Sequence, residues 1–166
     1  FQLLDVGDTL TFSQRADDNI LLSCTDQSLV NEQNLVLRAA RLLQQYAGTT
    51  LGCDIFLDKR LPMGGGLGGG SSDAATTLHA LNKIWQLNLS VAELAAIGLK
   101  LGADVPLFVE GFTAFAQRVG EQLQAVALPQ AVYLVVTPAC HVSTAEVFTH
   151  PDLIRNSAVI SADDVL

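Results

Sequence analysis

The chain has 166 residues, of which 49% are hydrophobic and 16% charged. That balance supports one medium domain with a sizeable core and excludes a disordered chain. A formal net charge of -8 excludes a general attraction for nucleic acid or an anionic membrane surface, so any phosphate site must be built locally, from backbone amides, a few cations and a metal ion.

The elements can be predicted in chain order. Residues 9–12 and 20–23 read as short strands, with Asp17-Asp18-Asn19 supplying a turn between them. Residues 34–46 carry Leu35, Ala39, Leu42, Leu43 and Tyr46 at helical spacing, and Gly48 ends that helix. Residues 53–57 alternate around Ile55 and read as a strand. A glycine segment follows, then a helix over about 72–85 with Ala75, Leu78, Leu81 and Trp85 on its core face. Ser90 and Glu93 form a capping box that starts a helix over about 91–100, stopped by Gly102. Beyond Pro106 the pattern returns to strands, at 112–118, 122–126 and 132–137, with Gly120-Glu121 as a turn. The class is α+β, with helices between hairpins.

No apolar run reaches the ~20 residues of a membrane span. No secretory leader is recognised. The three cysteines, Cys24, Cys53 and Cys140, form no CxxC pair and read as reduced thiols of a cytoplasmic protein. The chain starts at Phe1 without a methionine and stops at Leu166 without a tail, which predicts a fragment.

Residues 62–72, PMGGGLGGGSS, carry the strongest chemical signal. Six of the chain's 13 glycines fall in the seven positions 64–70. Without β-carbons, successive amides can turn toward one anion, and the N-terminus of the following helix adds more amides and partial positive charge. Ser71 and Ser72 add hydroxyls that reach a phosphate or its magnesium ion. A flexible linker or a tight strand-to-helix turn is the alternative; against a linker, an amphipathic helix follows directly and Leu57 and Leu61 lie just before. A Walker A loop is excluded because no lysine precedes Ser71. A GxGxxG match at Gly64, Gly66 and Gly69 is nearly unavoidable in such a run, and the second strand of a dinucleotide fold does not follow. Protein-kinase signatures are absent as well.

Residues 62–75, PMGGGLGGGSSDAA, resemble the second motif of the GHMP kinases, the P-x-x-x-G-L-x-S-S-A type. Residues 34–43 resemble the family helix before that loop, 58–62 its lead-in, 99–108 (LKLGADVPLF) its catalytic segment and 138–148 its cytidine segment. The triple glycines on both sides of Leu67 are closest to the branch that phosphorylates a cytidine diphosphate derivative of methylerythritol in non-mevalonate isoprenoid biosynthesis. The resemblance implies a two-layer GHMP N-terminal domain of the ribosomal-protein type, a mixed sheet with helices on one side. It implies an ATP-binding and catalytic domain over 1–138 and the start of a C-terminal domain over 139–166. The cofactors implied are ATP and Mg²⁺, the partner a small-molecule substrate, with no nucleic acid and no membrane.

By the same resemblance, Asp104 is the catalytic base, although by sequence alone a helix cap is the other role for it. Pro62, Met63, Gly64, Gly65, Gly66, Leu67, Gly68, Gly69, Gly70, Ser71 and Ser72 hold the nucleotide, joined by Lys59 and Asn34 at the adenine. Thr144 and Phe148 hold the acceptor. Asp73 reads as a helix cap rather than a metal ligand, and no magnesium ligand is assigned. His79 and His141 read as surface or packed residues and Trp85 as core. The family's lysine-bearing first strand and its third glycine-rich motif are not among these residues, so the chain alone is expected to be inactive, a nucleotide-binding module without turnover being one alternative. Another GHMP acceptor is the other.

Overall fold

The computed structural model describes residues 1–117, 120, 122–136, 144–154 and 157. Three strands, β1 (Thr9–Arg15), β2 (Ile20–Cys24) and β3 (Gly52–Asp58), form a mixed sheet in the order β1-β3-β2. β3 is antiparallel to β1 and parallel to β2. The hairpin suggested by 9–12 and 20–23 therefore does not form, because β3 enters between them. The turn at 17–19 is shaped to receive it: Gly52 N–H donates to the Asp17 carbonyl at 2.6 Å and Cys53 N–H to that of Asn19 at 3.0 Å. A β-carbon at Gly52 would stand 2.0 Å from the Asn19 carbonyl oxygen. Arg15 ties both sides of the junction, bonding Asp17 at 2.7 Å and Asp54 at 2.8 Å.

Along β3, Cys53, Ile55 and Leu57 are buried while Asp54 and Phe56 face out. This period of two places the helices on one side of the sheet. The first, α1 (Leu35–Ala47), is capped by the Asn34 side chain, which accepts from Val36 N–H, and ended by Gly48 in the left-handed region, at φ 62°. The second, α2 (Gly69–Ile84), packs on α1. Ala39 and Ala40 on one helix and Ala74 and Ala75 on the other are fully buried, and such small side chains let the two helices approach closely. Trp85 closes this core and donates its indole N–H to the Gly52 carbonyl at 3.3 Å.

The Ser90–Glu93 capping box starts α3 (Val91–Leu99) as expected. After it the chain departs from the predicted strands. A short helix, α4 (Val105–Glu110), comes first, with Pro106 in its first turn and Gly111 ending it at φ 72°. Proline there forfeits no helical hydrogen bond, so its presence did not forbid a helix. Gly98 lets α3 meet α4, since a β-carbon there would lie 2.7 Å from Val105 Cγ1.

The hairpin β4 (Ala114–Gln117) and β5 (Gln122–Ala125) follows in antiparallel register. Residue 118 and Glu121, at the ends of those predictions, lie outside the described residues. Residues 132–136 form no strand, and Val132, Leu134 and Val136 are exposed. Their apolar run meets no partner strand among the described residues; 137 lies outside them. A last helix, α5, spans Thr144–Thr149. Cys24 and Cys53 are buried free thiols, and Cys140 is outside the described residues. Among the described residues, no helix is long and apolar enough to cross a membrane.

The β3 junction predicts a local intolerance. Gly52→Ala should lower the unfolding free energy of the full-length protein by about 1–3 kcal/mol. Gly7→Ala, whose added carbon meets nothing within 4 Å, should change it by less than about 0.5 kcal/mol. Urea denaturation reads both.

Candidate active site

The glycine segment joins β3 to α2. The helix begins at Gly69, earlier than the serines suggest, so Gly69 and Gly70 form its first turn and Ser71 and Ser72 follow inside it. Gly64, Gly66 and Gly68 lie at φ 68°, 70° and 67°, a left-handed conformation that side-chain-bearing residues avoid. Gly68 is constrained twice, because a β-carbon would also stand 2.6 Å from the Phe108 ring. No side chain caps α2. Its first helical hydrogen bond runs from Ser72 N–H to the Gly68 carbonyl at 2.8 Å. The amides before it face the loop, at the positive end of the helix dipole.

The loop is the wall between two clefts. The first has a volume of about 460 Å³ and is lined by every residue predicted to hold the nucleotide except Ser72. Met63 stands over it, 62% exposed. Asn34 lines it too, but its carboxamide is already committed: it caps α1 at Val36 N–H and donates to the Leu29 carbonyl, both at 2.8 Å. The second cleft, of about 350 Å³, is lined by Ser72, Asp104, Leu61, Phe108 and the first residues of the chain. Gly66, Leu67 and Gly68 border both clefts.

Asp104 precedes α4 in a helical backbone conformation and its side chain makes no capping hydrogen bond. The capping role open to it from sequence is not taken, and the carboxylate is exposed on the second cleft. Phe148 is 67% exposed on α5 and lines neither of these clefts; the side chain of Thr144, the first residue of α5, is outside what the structure describes. His79 bonds the Val109 carbonyl at 2.9 Å, joining α2 to α4. His141 lies outside the described residues.

Asp73 corrects the sequence reading. It is not a cap: it lies past the first turn of α2 with a buried side chain, and it accepts from Lys59 Nζ at 2.9 Å. Lys59 also donates to Asp8, at 2.5 Å. Asp8 was not singled out in the sequence, where nothing in spacing links residue 8 to residue 59. Burial pushes the Asp73 carboxyl up to about 6, against the pull of Lys59. Burial opposes the charge on Asp8 as well, but hydrogen bonds from Lys59, Arg60 N–H and Leu61 N–H outweigh it and hold that carboxyl below its ordinary range. Burial likewise opposes the Lys59 charge, and the two carboxylates reverse the effect and raise its pKa. Gly69 lies against this cluster: a β-carbon there would be 3.0 Å from Lys59 Nζ and 3.3 Å from Asp8 Oδ2.

Residues 34–112 match the family described as the GHMP kinases N terminal domain. A 4-diphosphocytidyl-2-C-methyl-D-erythritol kinase of Pseudoalteromonas atlantica is 61% identical over 161 residues, covering 97% of this chain and 56% of the relative. The enzyme of that name from Methylococcus capsulatus is 54% identical over 166 residues, covering 100% of this chain and 57% of the relative. The chain thus spans a little over half the length of the curated relatives it matches. A crystal structure of 4-(cytidine 5'-diphospho)-2C-methyl-D-erythritol kinase superimposes with a TM-score of 0.63 at 40% identity, over 74% of this chain and 42% of that one. Homoserine kinase from Cytophaga hutchinsonii gives a TM-score of 0.64 at 21% identity, over 75% of this chain and 44% of that one, a likeness of fold alone.

The raised carboxyl of Asp73 gives a pH signature. Its value moves from the ordinary 3.8 up to about 6 in the folded state. Between those values the folded state holds a proton the unfolded state has lost, so this contribution to stability falls as pH rises and is flat above about 6. The stability of the unaltered protein relative to Asp73→Asn should therefore drop by on the order of 2 kcal/mol from about pH 4 to about pH 7. Denaturant titrations at the two pH values check it; a constant difference would contradict the assignment.

Proposed function

We propose that the chain carries the N-terminal domain of a GHMP kinase and serves to transfer the γ-phosphoryl group of ATP to the 2-hydroxyl of 4-diphosphocytidyl-2-C-methyl-D-erythritol, in the cytoplasm, as a step of non-mevalonate isoprenoid biosynthesis. The observation that carries this reading is the shared wall. One glycine loop borders a cleft lined by the nucleotide candidates and a second cleft that holds the uncapped Asp104. The names of the relatives support the acceptor. Residues 1–138 are the ATP-binding domain in this reading and 139–166 begin the next one; the 166 residues alone bind nucleotide with little turnover.

Each residue has a role set by its chemistry. The amides of residues 64–71 and the N-terminus of α2 receive the phosphates. Met63, flexible and exposed, packs on the base, and Lys59 and Asn34 shape the wall beside it. Among the described residues no three His, Cys, Asp or Glu side chains stand together as a metal site. The donors present therefore fit Mg²⁺ as a partly hydrated ion held mainly by phosphate oxygens, with the Ser71 and Ser72 hydroxyls at hand. When bound, that ion offsets charge on the transferring group. Asp104 orients the acceptor hydroxyl and takes its proton. Thr144 and Phe148 serve the pyrimidine, an exposed aromatic ring being suited to stacking. The formal net charge of -8 argues against nucleic acid or an anionic membrane as partner.

In the full-length protein, ADP should form when ATP-Mg²⁺ and the cytidine substrate are both present. Asp104→Asn should cut kcat by about 10²-fold or more, while KM for ATP stays within about threefold. Turnover with another alcohol but not with the cytidine compound would reassign the acceptor. An unchanged kcat would remove Asp104 from the chemistry, and nucleotide binding without ADP would favour a module that only binds.

A further inference from the structure

We infer that Asp8 is a positioning residue for the nucleotide cleft, acting through Lys59 and through the backbone of residues 60 and 61 to fix the ends of the glycine loop. The inference rests on that loop being a nucleotide site. β3 ends at Asp58, so the next N–H groups leave the sheet and need other acceptors. Side chains supply them. Lys59 N–H donates to Thr25 Oγ1 at 2.9 Å. Arg60 N–H and Leu61 N–H both donate to Asp8 Oδ1, at 2.6 and 2.8 Å. The other oxygen of Asp8 accepts from Lys59 Nζ, and the same ammonium reaches Asp73 inside α2.

One carboxylate with a fully buried side chain thereby joins three pieces: the segment before β1, the lead-in to the loop and, through Lys59, the beginning of α2. The lead-in and α2 are the two ends of the loop. Between them the chain has little to hold its shape. Glycine restricts its backbone least of all residues, and a β-carbon at Gly66 would meet nothing within 4 Å. The receptive form of the cradle must then come from its ends. Asp8 lines neither of the two clefts, so its effect on a ligand is indirect.

The test uses the full-length protein, a fluorescent ATP analogue (mant-ATP) and steady-state ADP formation. Asp8→Asn keeps an acceptor for both amides and removes the charge beside Lys59. It should weaken mant-ATP binding and raise KM for ATP by about tenfold or more, with kcat at saturating ATP within about threefold. Gly52→Ala, which disturbs the far end of β3, should leave KM for ATP within about twofold. Unaltered mant-ATP binding in Asp8→Asn overturns the inference. An equal rise of KM in Gly52→Ala also overturns it, because the effect would then be general loss of stability. Should Asp8→Asn not fold, hydrogen exchange in the unaltered protein decides: the Arg60 and Leu61 amides must exchange slowly with or without nucleotide, and fast exchange contradicts the clamp. No mant-ATP binding by the unaltered protein would sink the nucleotide-site reading, and this inference with it.

Discussion

A lysine ammonium buried beneath a loop has to be compensated where it lies. The Lys59 side chain is 8% exposed, and an unpartnered charge at that depth would cost several kcal/mol. Its partners come from opposite ends of the domain's first half: Asp8 from the segment before β1, and Asp73 from α2. Satisfying that one cation brings the sheet, the lead-in at 59–61 and the helix N-terminus to fixed positions. Gly69 follows from the same demand, since its missing β-carbon leaves room for the cluster. The glycine loop is flexible in composition, yet it hangs from two rigid ends.

The cluster also limits what Lys59 contributes to a ligand. Two carboxylates face one ammonium, so no net positive charge is left over for phosphate, least of all once Asp73 ionises. The chain as a whole is acidic. In the proposed reading, phosphate affinity comes from amide dipoles, the uncapped end of α2 and a metal ion bound with the nucleotide. Binding and chemistry, in that reading, fall on opposite faces of one wall. The first cleft holds the amides and Met63, the second holds Asp104, and Gly66 to Gly68 are common to both.

Features set by neighbours in sequence were legible. The Gly48 stop and the Ser90–Glu93 box each act within four residues, and each stands where spacing placed it. The loop was legible because glycine concentration has few other uses, and the resemblance of 34–43, 58–75 and 99–108 tied it to a family. Features set by distant contacts were not legible. β3 parts β1 from β2 through hydrogen bonds to residues 17 and 19, which local turn chemistry cannot foresee. Asp73 read as a cap because acids favour a first helical turn; burial beside Lys59 and an earlier helix start overrode that. α4 was missed because Pro106 reads as a breaker unless it falls in a first turn. Residues 132–136 have strand-like composition, but a strand also needs a partner.

The most direct test of the two-cleft account is a crystal structure of the full-length protein with Mg²⁺ and a non-hydrolysable ATP analogue. The account predicts the base and Met63 together in the first cleft, the phosphates against the loop amides, and the γ-phosphate at Gly66 to Gly68, on the side facing Asp104. A nucleotide bound elsewhere, or one whose γ-phosphate points away from Asp104, would contradict it.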